Sequence, residues 1–371
     1  KYKYVLRRNA QRSTLPRPLL IYTGELQKLL KIGAERASRS LKFVDLLVLP
    51  IESCDETQPC YNEVRELAVR LKHLNPTMRL FGHFAMGLTE DKSFDVLFRA
   101  ARKFKNDFGA DGMYLENLGF EDGNTRAAQN EALRMVHKNK MRAMISVSRP
   151  TTLGNLKLRA ENLSQLMLAI RPKDILLLRP FIFSEECSEI ENIETLFEEM
   201  QIINQWRTEQ PFHVAGLTIA PRGPVNQRLY DIAWFCATIY GFTHWGYQHG
   251  SLSSVKSFVR SEPSANIVGL TDLLLKEYKN LAGKFISRAM LELDDKTHHK
   301  ILSRATEGYT LSFDSVTSTC VIAVRHGVGQ KSRWLLNNAK DTHSYRFGAG
   351  FVKIPLEPYD ERDDEEELMG Y

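Results

Sequence analysis

The residues best placed to do chemistry lie in Phe108-Gly-Ala-Asp111-Gly112-Met-Tyr-Leu-Glu116-Asn117-Leu-Gly119. Asp111-Gly112 can make a tight turn into a short apolar run, from which Glu116 emerges with Asn117 beside it. A carboxylate at the end of a rigid strand suits glycosyl transfer, because an oxocarbenium-like transition state must be met by an anion or nucleophile within about 3 Å. Such chemistry needs a second acid, about 5 to 5.5 Å away for retention or about 6.5 to 9.5 Å for inversion. Glu52, which closely follows another apolar run, is the first candidate; Glu25, Asp55, Glu121 and Asp122 are the others. The alternative is that Asp111-Gly112 is an ordinary turn and Glu116 a rim acid paired with an arginine.

Other chemically capable residues also follow apolar runs: His83, Arg149, Arg179, Arg222 and the cluster His244-Trp245-Gly-Tyr247-Gln-His249. Guanidinium forks bind carboxylate or phosphate through paired hydrogen bonds, so three arginines suggest an anionic group such as a uronic acid, sialic acid or sugar phosphate. Salt bridges that stiffen loops are the competing use. The histidines suit acid–base service or bonding to sugar hydroxyls, and Trp245 and Tyr247 offer faces for a pyranose ring. No metal and no cofactor is expected, since the first strand lacks a His-x-His pair.

Positioning these groups requires a frame, and the sequence alternates apolar runs with amphipathic stretches about eight times. Candidate strands are Pro18–Thr23, Val44–Pro50, Arg79–Phe84, Gly112–Glu116, Ala143–Ser148, Asp174–Phe181, Val214–Ile219 and Thr243–Tyr247. Each is nearly continuous in apolar residues, as strands buried on both faces are. Helical faces lie between them, for example Val64, Leu67, Ala68 and Leu71 in Tyr61–Leu74, and Phe94, Leu97, Ala101 and Phe104 in Ser93–Phe108. Eight βα units over about 250 residues predict an α/β chain folded as a (β/α)8 TIM barrel rather than an open sheet. In such a barrel the active site lies at the carboxyl ends of the strands, where the residues above converge. The expected organisation is a basic arm over 1–14, the barrel over 15–283, a small β domain over 284–356 and an acidic tail over 357–371. The β strands of the small domain are expected at Ile286–Leu293, Tyr309–Phe313, Cys320–Arg325 and Gly350–Ile354, after a last helix at Ile267–Leu281.

The segment through Glu116 resembles the fourth-strand motif of several retaining glycoside hydrolase barrels, in which Asp-Gly is followed four residues later by a carboxylate. These are the chitinase-like family, the family 66 dextranases and the family 114 endo-polygalactosaminidase group; Leu118-Gly119 is most similar to the dextranase version. The resemblance implies that Glu116 holds the position of the catalytic or intermediate-stabilising carboxylate. Those families mostly carry Asp there, so this side chain is one methylene longer, which moves the carboxylate by about 1 Å. The chitinase-like acid two residues further on is here Leu118. The family 85 endoglycosidases are similar through the turn but have Asn at the Glu116 position and Glu two residues later.

Composition sets the outer limits. The chain has 371 residues, 43% of them hydrophobic and 26% charged, which excludes a disordered or coiled-coil architecture. No run approaches the roughly 18 to 20 apolar residues of a membrane span, so a soluble chain is expected, cytoplasmic or secreted after loss of a signal. The net charge is +5, but the last fifteen residues carry eight acids and one arginine, leaving the rest near +12. No basic run interleaves with aromatics, so nucleic acid is not an expected partner. Five cysteines are too few for a disulfide scaffold; Cys54 and Cys60 are near enough in sequence to be bonded, and two reduced thiols are the simpler expectation. No dinucleotide or P-loop glycine motif is present.

Two functions from different classes follow. One is a glycoside hydrolase acting on a glycan or polysaccharide, anionic if the arginines bind it, with Glu116 and Glu52 as the catalytic pair. In that reading His83, Asn117, Arg149, Arg179, Arg222, His244, Trp245 and Tyr247 bind substrate. The other is a catalytically inactive barrel that serves in binding or assembly. A lyase or isomerase of phosphorylated sugars ranks third, because Arg222-Gly223 and His249-Gly-Ser make only a thin phosphate loop.

Overall fold

Eight of the apolar runs form parallel strands that close on themselves. A computed structural model describes residues 16–22, 27, 30–31, 33–50, 56–57, 60–86, 94–120, 122–147, 149, 157–160, 163–181, 193–220, 233–234, 236–249, 290–293, 300–305, 309–314, 319–325 and 349–354. The barrel strands are β1 (Arg17–Ile21), β2 (Leu46–Leu49), β3 (Arg79–Ala85), β4 (Gly112–Glu116), β5 (Arg142–Val147), β8 (Ile175–Leu178), β9 (His213–Ala220) and β10 (His244–His249). They pair in that order, and β10 closes against β1. The expected parallel (β/α)8 barrel is therefore the observed fold. Helices alternate with the strands: α1 (Ala34–Leu41), α2 (Tyr61–Leu74), α3 (Phe94–Phe108), α4 (Arg126–Lys138) and α5 (Ile193–Glu209). They bury the stripes that periodicity marks, Val64, Leu67, Ala68 and Leu71 on α2 and Leu97, Ala101, Phe104 and Phe108 on α3. Helix α4 is capped by Thr125, whose hydroxyl accepts from the Ala128 amide at 3.2 Å.

The register fixes what the barrel holds. Leu19 faces Leu46, Leu46 faces Arg79, Phe81 faces Gly112, Met144 faces Ile175 and Ala215 faces His244. The stagger places side chains of one height on alternate strands, as in other barrels of this type. Leu19, Phe81, Met144 and Ala215 make one inward layer, and Val48, Tyr114 and Leu177 lie in the next, all fully buried. Gly112 and Gly246 occupy inward positions where a Cβ would collide, at Gly112 with the Phe81 ring and at Gly246 with the Leu19 carbonyl. The barrel is thus a packed core with two ends.

A hairpin of β6 (Lys157–Ala160) and β7 (Leu163–Met167) is inserted between the fifth and sixth barrel strands. The sequence reading lacks this pair, whose first segment, Lys-Leu-Arg-Ala, is short and whose second, Leu-Ser-Gln-Leu-Met, shows no clean two-residue alternation. A separate five-stranded antiparallel meander consists of β11 (Met290–Leu293), β12 (Lys300–Ala305), β13 (Tyr309–Asp314), β14 (Thr319–Arg325) and β15 (Ala349–Ile354). Strand β12 is an addition to the four expected there. The chain divides into two compact units, Arg17–Arg222 with Thr243–Val259, and Lys1–Pro16 with Gly223–Phe242 and Arg260–Tyr371. The basic arm, the helix expected at Ile267–Leu281 and the acidic tail lie outside the described residues. Among the described residues no helix is long and apolar enough to cross a membrane.

Candidate functional site

The start of β4 is held rigidly before its last residue can be useful. Asp111 Oδ2 accepts the Leu80 amide at 2.9 Å and the Lys72 ammonium at 2.5 Å, which anchors β4 to β3 and α2. Gly112 lets the Phe81 ring pack where a side chain would be. At the other end the Met86 amide donates to the Glu116 carbonyl at 2.8 Å. Asn117 turns the chain away with φ of 57° and is solvent-exposed, its carbonyl accepting from Asn124 Nδ2 at 2.8 Å. Asp122 shapes the same turn by accepting the Gly119 amide at 2.9 Å.

Glu116 points inward at the mouth, two residues above Tyr114, and both of its oxygens are engaged. His83 Nε2 lies 2.7 Å from Oε2, and Arg179 Nη1 donates to Oε1. An ionised carboxylate only accepts, so His83 must place its proton on Nε2. Arg179 Nη1 also donates to the Tyr114 hydroxyl at 3.2 Å, Tyr114 bonds Ser146, and its ring stacks on His83 with centroids 5.4 Å apart. The five groups come from β3, β4 and β5 and from the residue after β8, so one side of the mouth is braced by neighbouring strands. Burial alone would raise the Glu116 carboxyl, but the His83 hydrogen bond and the Arg179 charge outweigh it and hold it at about 2. Burial pushes the Tyr114 phenol up, while Tyr114 and Glu116 together hold Arg179 above its usual value against its own desolvation. This is a carboxylate that is ionised at every physiological pH. It can act as a nucleophile or stabilise a cation, and it cannot act as a general acid.

The other sequence candidates are distributed differently. His83, Arg179 and Glu116 are brought together, and Asn117 borders them as a turn residue. Arg149 is 57% exposed, with Nε 3.9 Å from Glu199 Oε1. His244 begins β10, is 2% exposed and faces Arg17, so it lies at the opposite end of the barrel from Glu116. Its expected place at the mouth is corrected by the register: β10 starts at His244, four residues before Gln248 at the rim. Trp245 and Tyr247 are also displaced from the expected role. They share register with Gly216 and Thr218, the parity opposite to inward Leu217, so they face the helical layer and are 5% and 2% exposed. Trp245 Nε1 donates to Thr218 Oγ1 at 3.1 Å. Gln248 points inward, but its amide brackets the Ile21 backbone at 2.8 and 3.1 Å and latches β10 to β1. Glu52 and Arg222 lie outside the described residues, as does Cys54; Cys60 is a buried thiol.

Tyr114 is a residue of the candidate site that the sequence reading passed over. Its signal was parity: two residues before Glu116 on one strand, it must share the inward face. Ser146, two residues above inward Met144, follows the same rule.

A solved structure described as a family 39 glycoside hydrolase from the gut symbiont Bacteroides cellulosilyticus WH2 is similar to this chain. The TM-score is 0.52 at 10% identity, over 94% of this chain and 80% of that one. At that identity the likeness is one of fold. The carboxyl transferase domain of Rhizobium etli pyruvate carboxylase follows at TM-score 0.42 and 9% identity, over 74% of this chain and 45% of that one. A type I 3-dehydroquinate dehydratase from Clostridium difficile stands at 0.37 and 13%, over 63% and 84%. Neither of the last two carries an argument. No family model and no curated protein matches the chain.

Proposed function

We propose that this barrel is a glycoside hydrolase that cleaves a glycan or polysaccharide at its strand ends, with Glu116 as the nucleophile or cation-stabilising carboxylate. The observation that carries the reading is Glu116 itself, delivered by β4 and held ionised by Arg179 and His83. A nucleophilic carboxylate must be charged before attack and must leave again afterwards, and donors on both oxygens favour the charged form in each state. The Asp111-Gly112-x-x-x-Glu116 spacing and a fold like that of a family 39 glycoside hydrolase support it.

The proton for the leaving oxygen must come from elsewhere, because Glu116 has none to give. Glu52, which follows β2 in sequence, is proposed as that acid and as the base that then activates water. In the retaining sequence Glu116 attacks the anomeric carbon, the glycosidic C–O bond breaks and Glu52 protonates the departing oxygen. Water, giving its proton to Glu52, then releases the sugar from Glu116. Arg179 is engaged by Glu116 and Tyr114, so recognition of an anionic sugar falls to Arg149 and Arg222. Tyr114 and Ser146 are positioning residues that fix Arg179.

Release of reducing ends from a panel of neutral and acidic glycans, compared between wild type, Glu116→Gln and Glu52→Gln, tests this. The expected result is a loss of three or more orders of magnitude in each variant. Undiminished cleavage by Glu116→Gln overturns the assignment. The ion pair to Arg179 also favours a second reading, an inactive barrel used for binding or assembly, since pairing with an arginine is what a purely structural acid would show. That reading predicts that no glycan is cleaved and that Glu116→Gln changes stability alone.

A further inference from the structure

The amino-terminal end of the barrel carries a second charged constellation, of one sign. Hydrogen bonds around this end run from Arg17 N to Thr243 O (3.0 Å), Arg79 N to Asp45 O (2.7 Å), Arg142 N to Asp111 O (3.0 Å) and His213 N to Asp174 O (2.9 Å). The residues that begin the strands therefore stand at one height, in the alternating order Arg17, Asp45, Arg79, Asp111, Arg142, Asp174, His213 and Thr243. Inward parity falls on alternate strands. Arg17 is two residues below inward Leu19, Arg79 below Phe81, Arg142 below Met144 and His213 below Ala215. Three guanidinium groups and one imidazole thus form the lowest inward layer, with His244 just above, opposite Arg17.

The acids at this height do not belong to that layer. Asp111 is engaged by Lys72 and the Leu80 amide, and Asp174 by His137 and the amides of Ala143 and Arg171. Asp45 feels both Arg17 and Arg79, and Arg79 in turn feels Asp111 before Asp45. Two flanking acids, one of them shared with the Lys72 ammonium, against three inward guanidiniums leave a surplus of positive charge beside the barrel axis. We propose that this end is an anion site, built from Arg17, Arg79, Arg142 and His213, that takes a phosphate-class oxyanion, free or at the end of a larger molecule. All four residues are partly exposed, so an anion can reach them from solvent. The electrostatics agree: Arg79 is depressed first by burial and then by Arg142 and Arg17, and His213 falls to about 4 through burial and then through Arg79, Arg142, Arg207 and Arg17. A tetrahedral oxyanion presents enough acceptors for several guanidinium forks at once, which a chloride ion does not. The inference is independent of the reading of the mouth.

Equilibrium dialysis of the full chain against labelled inorganic phosphate, at constant ionic strength set with chloride, is the direct test. Saturable binding near one equivalent is expected, weakened about tenfold in Arg79→Gln and again in Arg142→Gln. Arg142→Lys, which keeps the charge and removes the fork, should weaken it less. Glycerol phosphate, run in parallel, separates the sources: competition with inorganic phosphate supports a site open to a phosphate monoester, and binding of inorganic phosphate alone supports one for the free anion. Absence of saturable binding in wild type, or binding by Arg79→Gln and Arg142→Gln equal to wild type, overturns the proposal whether or not the mouth hydrolyses glycans.

Discussion

The two ends of the barrel are built by the same register and differ in how their charges are closed. At the mouth Glu116 and Arg179 stand at one height, so an anion meets a cation, and Gln248 at the same height is engaged by the Ile21 backbone. At the base the inward layer is three arginines and a histidine, and the acids of that height sit on strands whose side chains turn outward. Between them the apolar layers through Leu19, Phe81, Val48 and Leu177 are completely buried and carry the packing. The lesson is that a closed barrel asks for volume in its middle layers and leaves the chemistry of its ends unconstrained. A satisfied carboxylate at one end suits a reaction that needs a standing anion, whereas a surplus of one sign at the other suits binding of the opposite sign.

The largest expected effect concerns inward against outward residues at the mouth. Glu116→Gln should lower glycan hydrolysis by at least three orders of magnitude, while Tyr247→Phe, on the helix-facing side of β10, should leave kcat and KM within about twofold. Initial rates on the best glycan of the panel measure both. Equal losses would mean that the parity assigned to β10 does not govern the site.

Stability should separate the ends next. Removing one member of a largely buried ion pair leaves the other uncompensated, so Arg179→Met is expected to cost about 2 to 4 kcal/mol, somewhat below the full buried range because the pair's side chains are 18% and 24% exposed. Arg142→Gln removes one of several like charges and should leave stability unchanged or raise it slightly in phosphate-free buffer. Urea midpoints give both numbers, and a large destabilisation by Arg142→Gln would show that the base is internally paired after all.

Acid should unload the ends in different windows. Burial and the neighbouring arginines depress His213 to about 4 from an ordinary 6.5, so the unfolded chain takes up its proton first and stability falls as pH drops from about 6.5 to about 4. Glu116 is depressed from 4.5 to about 2, so its contribution, about 3 kcal/mol, is complete above 4.5 and is lost as pH falls toward 2. Bound phosphate should flatten the first loss and leave the second untouched. Thermal melts across pH 2 to 7.5, with and without phosphate at fixed ionic strength, display the two windows.

Much of this was legible in the sequence, for identifiable reasons. Gly112–Glu116 is read without error because Asp-Gly marks its start and an unbroken apolar run its body. The stripes of α2 and α3 are equally plain. What the sequence hid was height and parity around a closed ring. His244, Trp245 and Tyr247 follow one another on one strand, and only the pairing of β10 with β9 and β1 shows that the first lies at the base and the other two face outward. The basic layer is invisible for the same reason: Arg17, Arg79, Arg142 and His213 are spread over nearly two hundred positions, and stagger alone makes them neighbours.

The smallest expected effect tests whether the mouth retains any surplus charge of its own. Arg149 is largely exposed and its 3.9 Å approach to Glu199 is loose, so Arg149→Ala should change stability by less than about 0.5 kcal/mol. If the substrate is anionic, the same substitution should raise KM severalfold for acidic glycans, leave KM for neutral ones alone and leave kcat unchanged for both, because a rim charge contributes binding that is equal in ground and transition states. The KM difference should also shrink with added salt, since exposed charges are screened within about 8 to 10 Å at ordinary ionic strength. An Arg149→Ala enzyme whose KM for acidic and neutral glycans is unchanged would leave the mouth electrically closed, with selectivity for anions confined to the base of the barrel.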